Sequence, residues 1–262
     1  MTLLQVRSGG LRIKQSPEGK TRIKGLYVAR DGFDGWDDGA TMRSDTVSRP
    51  QAHGDFDMPG FLSGRLVAME GWAIAHTRTE LENLRDQFIG HGADGGKFDV
   101  SIERNDRTLR AEARIAAGTR PSFKDDGTGK RARWSVSWWR PDPRKYQTNK
   151  SPDGSPFGPA SSLQVFQRGN FPALPVFTIT GASAGGYTIN GPAGRRIVVT
   201  RPLVAGAPHR FEMSTGRLYV GGTRVLGGVA RADLFTIPPG LPVTSISITA
   251  GQLLVDVDDT FV

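Results

Sequence analysis

Gln167-Arg168-Gly169-Asn170-Phe171-Pro172-Ala173-Leu174-Pro175, running directly into Val176-Phe177-Thr178-Ile179-Thr180-Gly181, is the stretch that organises this chain. Pro172 and Pro175 fix their own φ and push Phe171 and Leu174 toward extended backbone, so no helix continues through here. Val176, Phe177 and Ile179 then stand among threonines and close on Gly181, the composition of a strand ending in a turn. Upstream, residues 147–160 are dominated by Pro, Gly, Ser, Asn and Lys, which bury little. The simplest division is a domain over 1–146, a linker over 147–170 and a second domain over 171–262.

Downstream of the junction, helix signals are few. Short apolar runs at Tyr187-Thr188-Ile189, Arg196-Ile197-Val198-Val199, Pro202-Leu203-Val204, His209-Arg210-Phe211, Arg217-Leu218-Tyr219-Val220, Leu234-Phe235-Thr236-Ile237, Thr244-Ser245-Ile246-Ser247-Ile248 and Leu253-Leu254-Val255 recur with turns about every ten residues. Ser214-Thr215-Gly216 places a glycine where a tight hairpin turn needs positive φ. Strands this short and this evenly spaced predict a β-sandwich.

Upstream, Leu3-Leu4-Gln5-Val6, Leu11-Arg12-Ile13 and Ile23 to Val28 read as strands joined by tight turns at Ser8-Gly9-Gly10 and Ser16-Pro17-Glu18-Gly19. Residues 31–60 are polar and glycine-rich, a long loop of the kind that has a job or is disordered. Its aspartates, Asp34, Asp37, Asp38, Asp45, Asp55 and Asp57, lack the calcium-loop spacing, so solvated carboxylates are expected rather than a metal site. Strand character returns over Phe61 to Ala75. Thr77-Arg78-Thr79-Glu80 is a capping box, with the Glu80 carboxylate expected to reach back to the Thr77 N–H. Leu81, Leu84, Phe88 and Ile89 at helical spacing then predict a helix over about 78–89, ended by Gly90 and Gly92 and laid on a sheet. Phe98 to Arg104 and Leu109 to Ile115 alternate around Asn105-Asp106 and predict an antiparallel hairpin.

Lys124 to Lys130 is a further hairpin tip; Lys124 and Arg131 occupy positions where a phosphate loop needs Gly and Ser or Thr. In the following strand, Ala132, Trp134, Val136 and Trp138 face one way and Arg131, Arg133, Ser135, Ser137 and Trp139 the other. Arg131 and Arg133 beside an exposed Trp139 suit an interface or a solvated strand face; stacking on single-stranded nucleic acid lacks a second aromatic platform.

Composition narrows the chemistry. Cysteine is absent, which removes disulfides, thiolate metal sites and a cysteine nucleophile. A net charge of +8 over 262 residues favours acidic partners or simple solubility. No apolar run reaches the roughly 20 residues of a membrane span, and the N-terminus lacks a signal peptide's apolar core, so a soluble, unsecreted protein with no membrane partner is expected. His53, His76, His91 and His209 show no metal-ligand spacing and read as loop or surface histidines. Asp256, Asp258 and Asp259 name no partner glutamate for glycoside chemistry. No catalytic residue, cofactor or metal ligand is assigned, and an enzyme is not expected.

The ordered pattern resembles the distal tail proteins of long-tailed, non-contractile, siphovirus-type bacteriophages. It is carried by Arg49-Pro50-Gln51-Ala52-His53-Gly54-Asp55, the run from Arg65 to Gly71, the capped helix and the strand ending at Asp142-Pro143-Arg144-Lys145-Tyr146. In the second half it is carried by the Gly169 to Pro175 entry, Ile179-Thr180-Gly181, the His209 to Val220 hairpin and Phe235-Thr236-Ile237-Pro238-Pro239-Gly240. The resemblance implies a mainly β protein: an N-terminal β-barrel-like domain with one α-helix and a C-terminal galectin-like β-sandwich. It further implies a homohexameric ring at the virion tail tip, assembled in the host cytoplasm. That ring would meet the tail tube protein, the tape measure protein and a tail-tip hub or tail-associated protein, with DNA passing only in transit through its channel. A ring subunit is expected to offer a sheet that continues into its neighbour, with the excess arginines off the lumen or against acidic neighbours. The alternative is a carbohydrate-binding adhesin component, for which Tyr187 and Tyr219 are the available aromatic platforms.

Overall fold

The computed structural model describes residues 4–15, 23–105, 107–148 and 157–262. The chain divides into two compact units, residues 1–145 and 146–261.

Alternation builds the first unit. Along Arg131–Arg140 the side chains of Ala132, Trp134, Val136 and Trp138 are buried, as their spacing predicts. This strand pairs antiparallel over its whole length with Arg65–Ile74, setting Arg133 opposite Trp72 and Trp139 opposite Leu66. The order continues through Gly25–Asp34, Leu11–Gln15, Gln5–Ser8, Phe98–Arg104 and Arg107–Ile115. Arg114 then pairs with Trp139 and Ile115 with Trp138, so the seven strands close into a barrel. Ser122–Asp125 is added outside this circuit on Arg131–Arg140.

Two expectations change here. Leu11–Gln15 and Gly25–Asp34 pair in parallel, Ile13 opposite Leu26, so they do not form a hairpin; the turn expected at 16–19 lies outside the described residues. The strand expected over 61–75 is interrupted: Phe61–Leu62 pairs elsewhere, and the barrel strand begins at Arg65. Ser122–Asp125 is a four-residue open edge outside the circuit, and Lys124 and Asp125 on it oppose edge pairing.

The helix runs over Arg78–Gly90, and Thr77 caps it by accepting from the Glu80 N–H at 3.2 Å. The Glu80 carboxylate accepts from the His76 N–H at 2.9 Å, one residue farther back than the capping-box expectation. Leu81 and Phe88 are buried, Leu84 is partly buried, and Ile89 faces solvent. Phe88 lies 5.3 Å from Trp134 and 6.0 Å from Phe123, centroid to centroid, which fixes the helix against the barrel.

The second unit is the expected sandwich. One sheet has the order Phe157–Ala160, Gln252–Asp256, Val176–Thr180, His209–Glu212, Arg217–Val220, Thr223–Val225. The other has Ser162–Val165, Thr244–Ile248, Tyr187–Asn190, Arg196–Val199, Val229–Ala232. Apolar residues from both sheets, Phe177, Ile189 and Phe211 among them, form one core. The runs at 202–204 and 234–237 are not strands: Leu203 and Ile237 make only isolated bridges, to Ser183 and Ala173.

The linker expected over 147–170 is a correction in its second part. Residues 157–165 supply an outer strand to each sheet, because a strand needs only alternate apolar positions and Phe157 and Val165 provide them. Gln167 is fully buried. Its side-chain oxygen accepts from the Gly169 N–H at 2.9 Å and the Thr260 N–H at 3.2 Å, and its amide donates to the Phe171 carbonyl at 2.7 Å. A Cβ on Gly169 would sit 1.9 Å from the Thr260 carbonyl oxygen, so this close passage demands glycine.

Candidate assembly surface

Most of the polar loop read from the sequence as residues 31–60, from Trp36 on and with the four residues after it, forms an arm over 36–64 with a rigid base and an exposed shaft. At the base Trp36 is buried, with the Arg140 guanidinium 4.4 Å from its ring centroid. Lys145 donates to the Trp36 carbonyl at 3.0 Å, Arg65 donates to the Asp38 carbonyl, and Arg104 pairs with Asp37. Gly35 has φ +79, and a Cβ there would meet the Leu66 carbonyl oxygen at 2.1 Å. Burial, reinforced by the charges of Arg65 and Arg140, pushes Lys145 down to about 8, and burial also lowers Arg65.

Beyond the base the chain makes two short internal ladders, Met42–Arg43 with Phe61–Leu62 and Val47–Ser48 with Asp55–Phe56. All residues from 41 to 61 are exposed, including Met42, Val47, Phe56, Met58 and Phe61. An isolated two-stranded ribbon is marginal in water, and a contiguous set of exposed large apolar side chains marks an interaction site. The sequence carried this signal in its apolar residues, which the glycine and aspartate content masked. Asp45, Asp55 and Asp57 lie along this exposed shaft, and among the described residues no group of three His, Asp or Glu is arranged to hold a metal.

The barrel wall supplies a second surface. Arg131 and Arg133 both lie over the Trp72 ring, at 5.0 and 4.7 Å, while Trp139 takes Arg114 at 5.6 Å. Trp139 is therefore not the partner of Arg131 and Arg133 that the strand pattern suggested. Trp72 is, because register sets it directly opposite Arg133, and register was the missing information. On the same outward face Leu66 and Trp139 are exposed and Lys124 lies opposite Arg133.

The remaining sequence candidates resolve into structure. His53 and His76 are exposed, but His91 is half-buried against Phe98 at 4.4 Å and hydrogen-bonds Ser8 Oγ at 3.0 Å. His209 is in the sandwich core, a correction to its reading as a surface residue: it sits 3.0 Å from the Tyr187 hydroxyl. Burial and the Arg201 charge lower the pKa of His209, and burial raises the Tyr187 hydroxyl well above its ordinary value. Tyr187 is thus no platform for a sugar; Tyr219 is half-exposed under Arg210. Asp259 is buried and accepts from the Arg168 N–H at 2.6 Å, a structural role. Among the described residues, no helix is long and apolar enough to cross a membrane.

No family model matches the chain, and no curated protein matches it in sequence. Solved structures do resemble it in fold. The crystal structure of SPP1 Dit (gp 19.1), described as a paradigm of the hub adsorption apparatus in phages infecting Gram-positive bacteria, superposes with a TM-score of 0.69 at 12% identity. The match covers 99% of this chain and 99% of that one. The phage P2 baseplate in its activated conformation with Ca matches with a TM-score of 0.48 at 9% identity, over 98% of each chain. The first likeness is one of fold, and it runs over nearly the whole of both chains.

Proposed function

We propose that this chain is a structural subunit of a phage tail tip, a distal tail protein that assembles into a homohexameric ring. The ring would join the tail tube to the distal tail-tip or baseplate proteins, meet the tape measure protein and leave a passage for DNA. The observation that carries this reading is the end-to-end fold likeness to a phage hub protein, barrel and sandwich together. Two features of the chain support it. The exposed arm is an unsatisfied apolar surface on a rigid base, as an assembly contact requires. The ionisable groups singled out in the sequence are spread through structural roles rather than converging in a cleft.

Negative-stain imaging and mass photometry of the purified chain test it. Closed rings of identical subunits are expected, with the copy number read from class averages, because a heterologous contact closes only by rotation. Monomers alone at every concentration, both free and mixed with tail tubes, would remove the ring from the account.

A further inference from the structure

At the end of the sandwich where the His209–Glu212 strand begins, a cavity of about 290 Å³ opens to solvent. Pro202, Val204, Ala207 and Val220 form its walls, the buried His209 lies at its floor and the exposed Arg201 stands at its rim. At roughly 30 Å³ per water, the space takes about ten waters or an apolar body of similar size.

Backbone hydrogen bonds hold the walls in place. Leu203 and Ser183 exchange two of them at 2.8 and 2.9 Å, the Ala207 N–H donates to the Val204 carbonyl at 3.1 Å, and the Gly221 N–H donates to the Pro208 carbonyl at 3.1 Å. At the floor, His209 sits 3.0 Å from the Tyr187 hydroxyl, and the Pro202 backbone also hydrogen-bonds its ring. The imidazole is thus satisfied and neutral, which leaves Arg201 as the one charge that the cavity presents.

Arg201 makes no ion pair and no side-chain hydrogen bond among the described residues, and its stem passes Gly228, where a Cβ would sit 3.0 Å from that of Arg201. Carboxylates of the sandwich are engaged elsewhere: Glu212 with Arg210, Asp233 with Arg231, and Asp259 with the Arg168 N–H. Asp256 stands opposite Val176, at the far end of the strand whose Ile179 faces His209.

We propose that this cavity binds a small carboxylic acid with an aromatic or branched aliphatic body, the carboxylate held by the Arg201 guanidinium and the body lying against Val204, Ala207 and Val220. A guanidinium meets a carboxylate with two parallel N–H···O bonds, and the same ligand covers Val204, whose side chain is otherwise left in water at the lip. Apolar walls with one convergent charge make a small-ligand site. The cavity lies within one sandwich, so binding needs no second copy and is independent of ring assembly.

Isothermal titration calorimetry of the full-length chain with benzoate tests the site. One benzoate per chain is expected. Benzamide, similar in shape but uncharged, is expected to bind at least about tenfold more weakly, as is benzoate to Arg201→Gln. Val204→Glu sets a like charge at the lip and is expected to weaken benzoate as much, whereas Arg210→Gln, on the outer face of the sheet, is expected to bind like wild type. A bound carboxylate offsets the repulsion that Arg201 exerts on the His209 imidazolium, so titrations at about pH 6 in buffers of different ionisation enthalpy are expected to read proton uptake. A short peptide ending in Phe offers the same chemistry from a chain end: its binding assigns the site to a partner's terminus, and its exclusion assigns it to a free acid. No binding of benzoate, equal binding of benzamide, wild-type affinity in Arg201→Gln, or binding without proton uptake would overturn the site and leave the ring reading untouched.

Discussion

Lys145 donates its ammonium to the main-chain carbonyl of Trp36 at 3.0 Å while Arg140 covers the same indole at 4.4 Å. Buried cations thus hold the arm's first residue to the barrel. A charged lysine in this position is costly, and its pKa near 8, against an ordinary 10.5, expresses that cost. The unfolded chain binds a proton more readily than the folded one between those values, so this residue makes stability rise with pH from about 8 upward. The full shift corresponds to about 3 kcal/mol. All five tryptophans lie in residues 1–145, so their fluorescence follows the barrel alone. Its urea midpoint is expected to increase between pH 8 and 9.5 in wild type and to be flat in Lys145→Met; parallel curves would show that Lys145 carries no such penalty.

The Tyr187–His209 pair makes the opposite pH prediction for the sandwich. His209 is held neutral by burial and by Arg201, so its folded pKa lies below 6.5. Stability from this group is fully present above 6.5 and is lost as pH falls toward the folded value. Tyr187→Phe leaves the ring nitrogen without its partner and is expected to cost about 1–3 kcal/mol. Replacing both, Tyr187→Phe with His209→Leu, is expected to cost less than the single change predicts and to flatten the acid limb. Calorimetry at pH 7 and pH 5 reads both effects.

Gln167 ties the entry stretch to Asp258–Phe261, the last strand of the chain. Gln167→Met keeps the length of the side chain but strands the Gly169 and Thr260 N–H groups and the Phe171 carbonyl. A loss of about 3 kcal/mol or more is expected. Amide exchange at Gly169 and Thr260 should accelerate first, and protection equal to wild type would mean that these amides are held by other groups.

The helix face gives a graded series. Phe88→Ala, removing a ring packed on Trp134 and Phe123, is expected to destabilise the barrel by about 3–5 kcal/mol. Leu84→Ala should cost less because that residue is only partly buried, and Ile89→Ala, exposed at 40%, should stay within about 0.5 kcal/mol. Equal losses at all three positions would contradict the orientation of the helix.

Periodicity made much of this molecule legible before any coordinates. The alternation of Ala132, Trp134, Val136 and Trp138 gave their burial, Thr77 and Glu80 marked the helix start, and the even turns after Gly181 announced a sandwich. Where the reading failed, local pattern was a poor guide for a physical reason. Residues 157–170 look like a linker by composition, yet two well-placed apolar side chains and a single buried glutamine suffice to incorporate them. The candidate site divides in the same way: Arg131 and Arg133 were visible as a basic face, while their aromatic partner was not.

Strand, turn and helix identity depend on neighbours a few residues apart, so the order of amino acids was enough to establish two β-built domains and the helix between strands. Closure of the barrel, the parallel pairing of Ile13 with Leu26, the meeting of Trp72 with Arg133 and the anchoring of Trp36 by Lys145 join residues distant in the chain. Those contacts arise only when strands choose their register and partners in three dimensions. No local pattern encodes that choice, because many registers bury the same alternating face equally well.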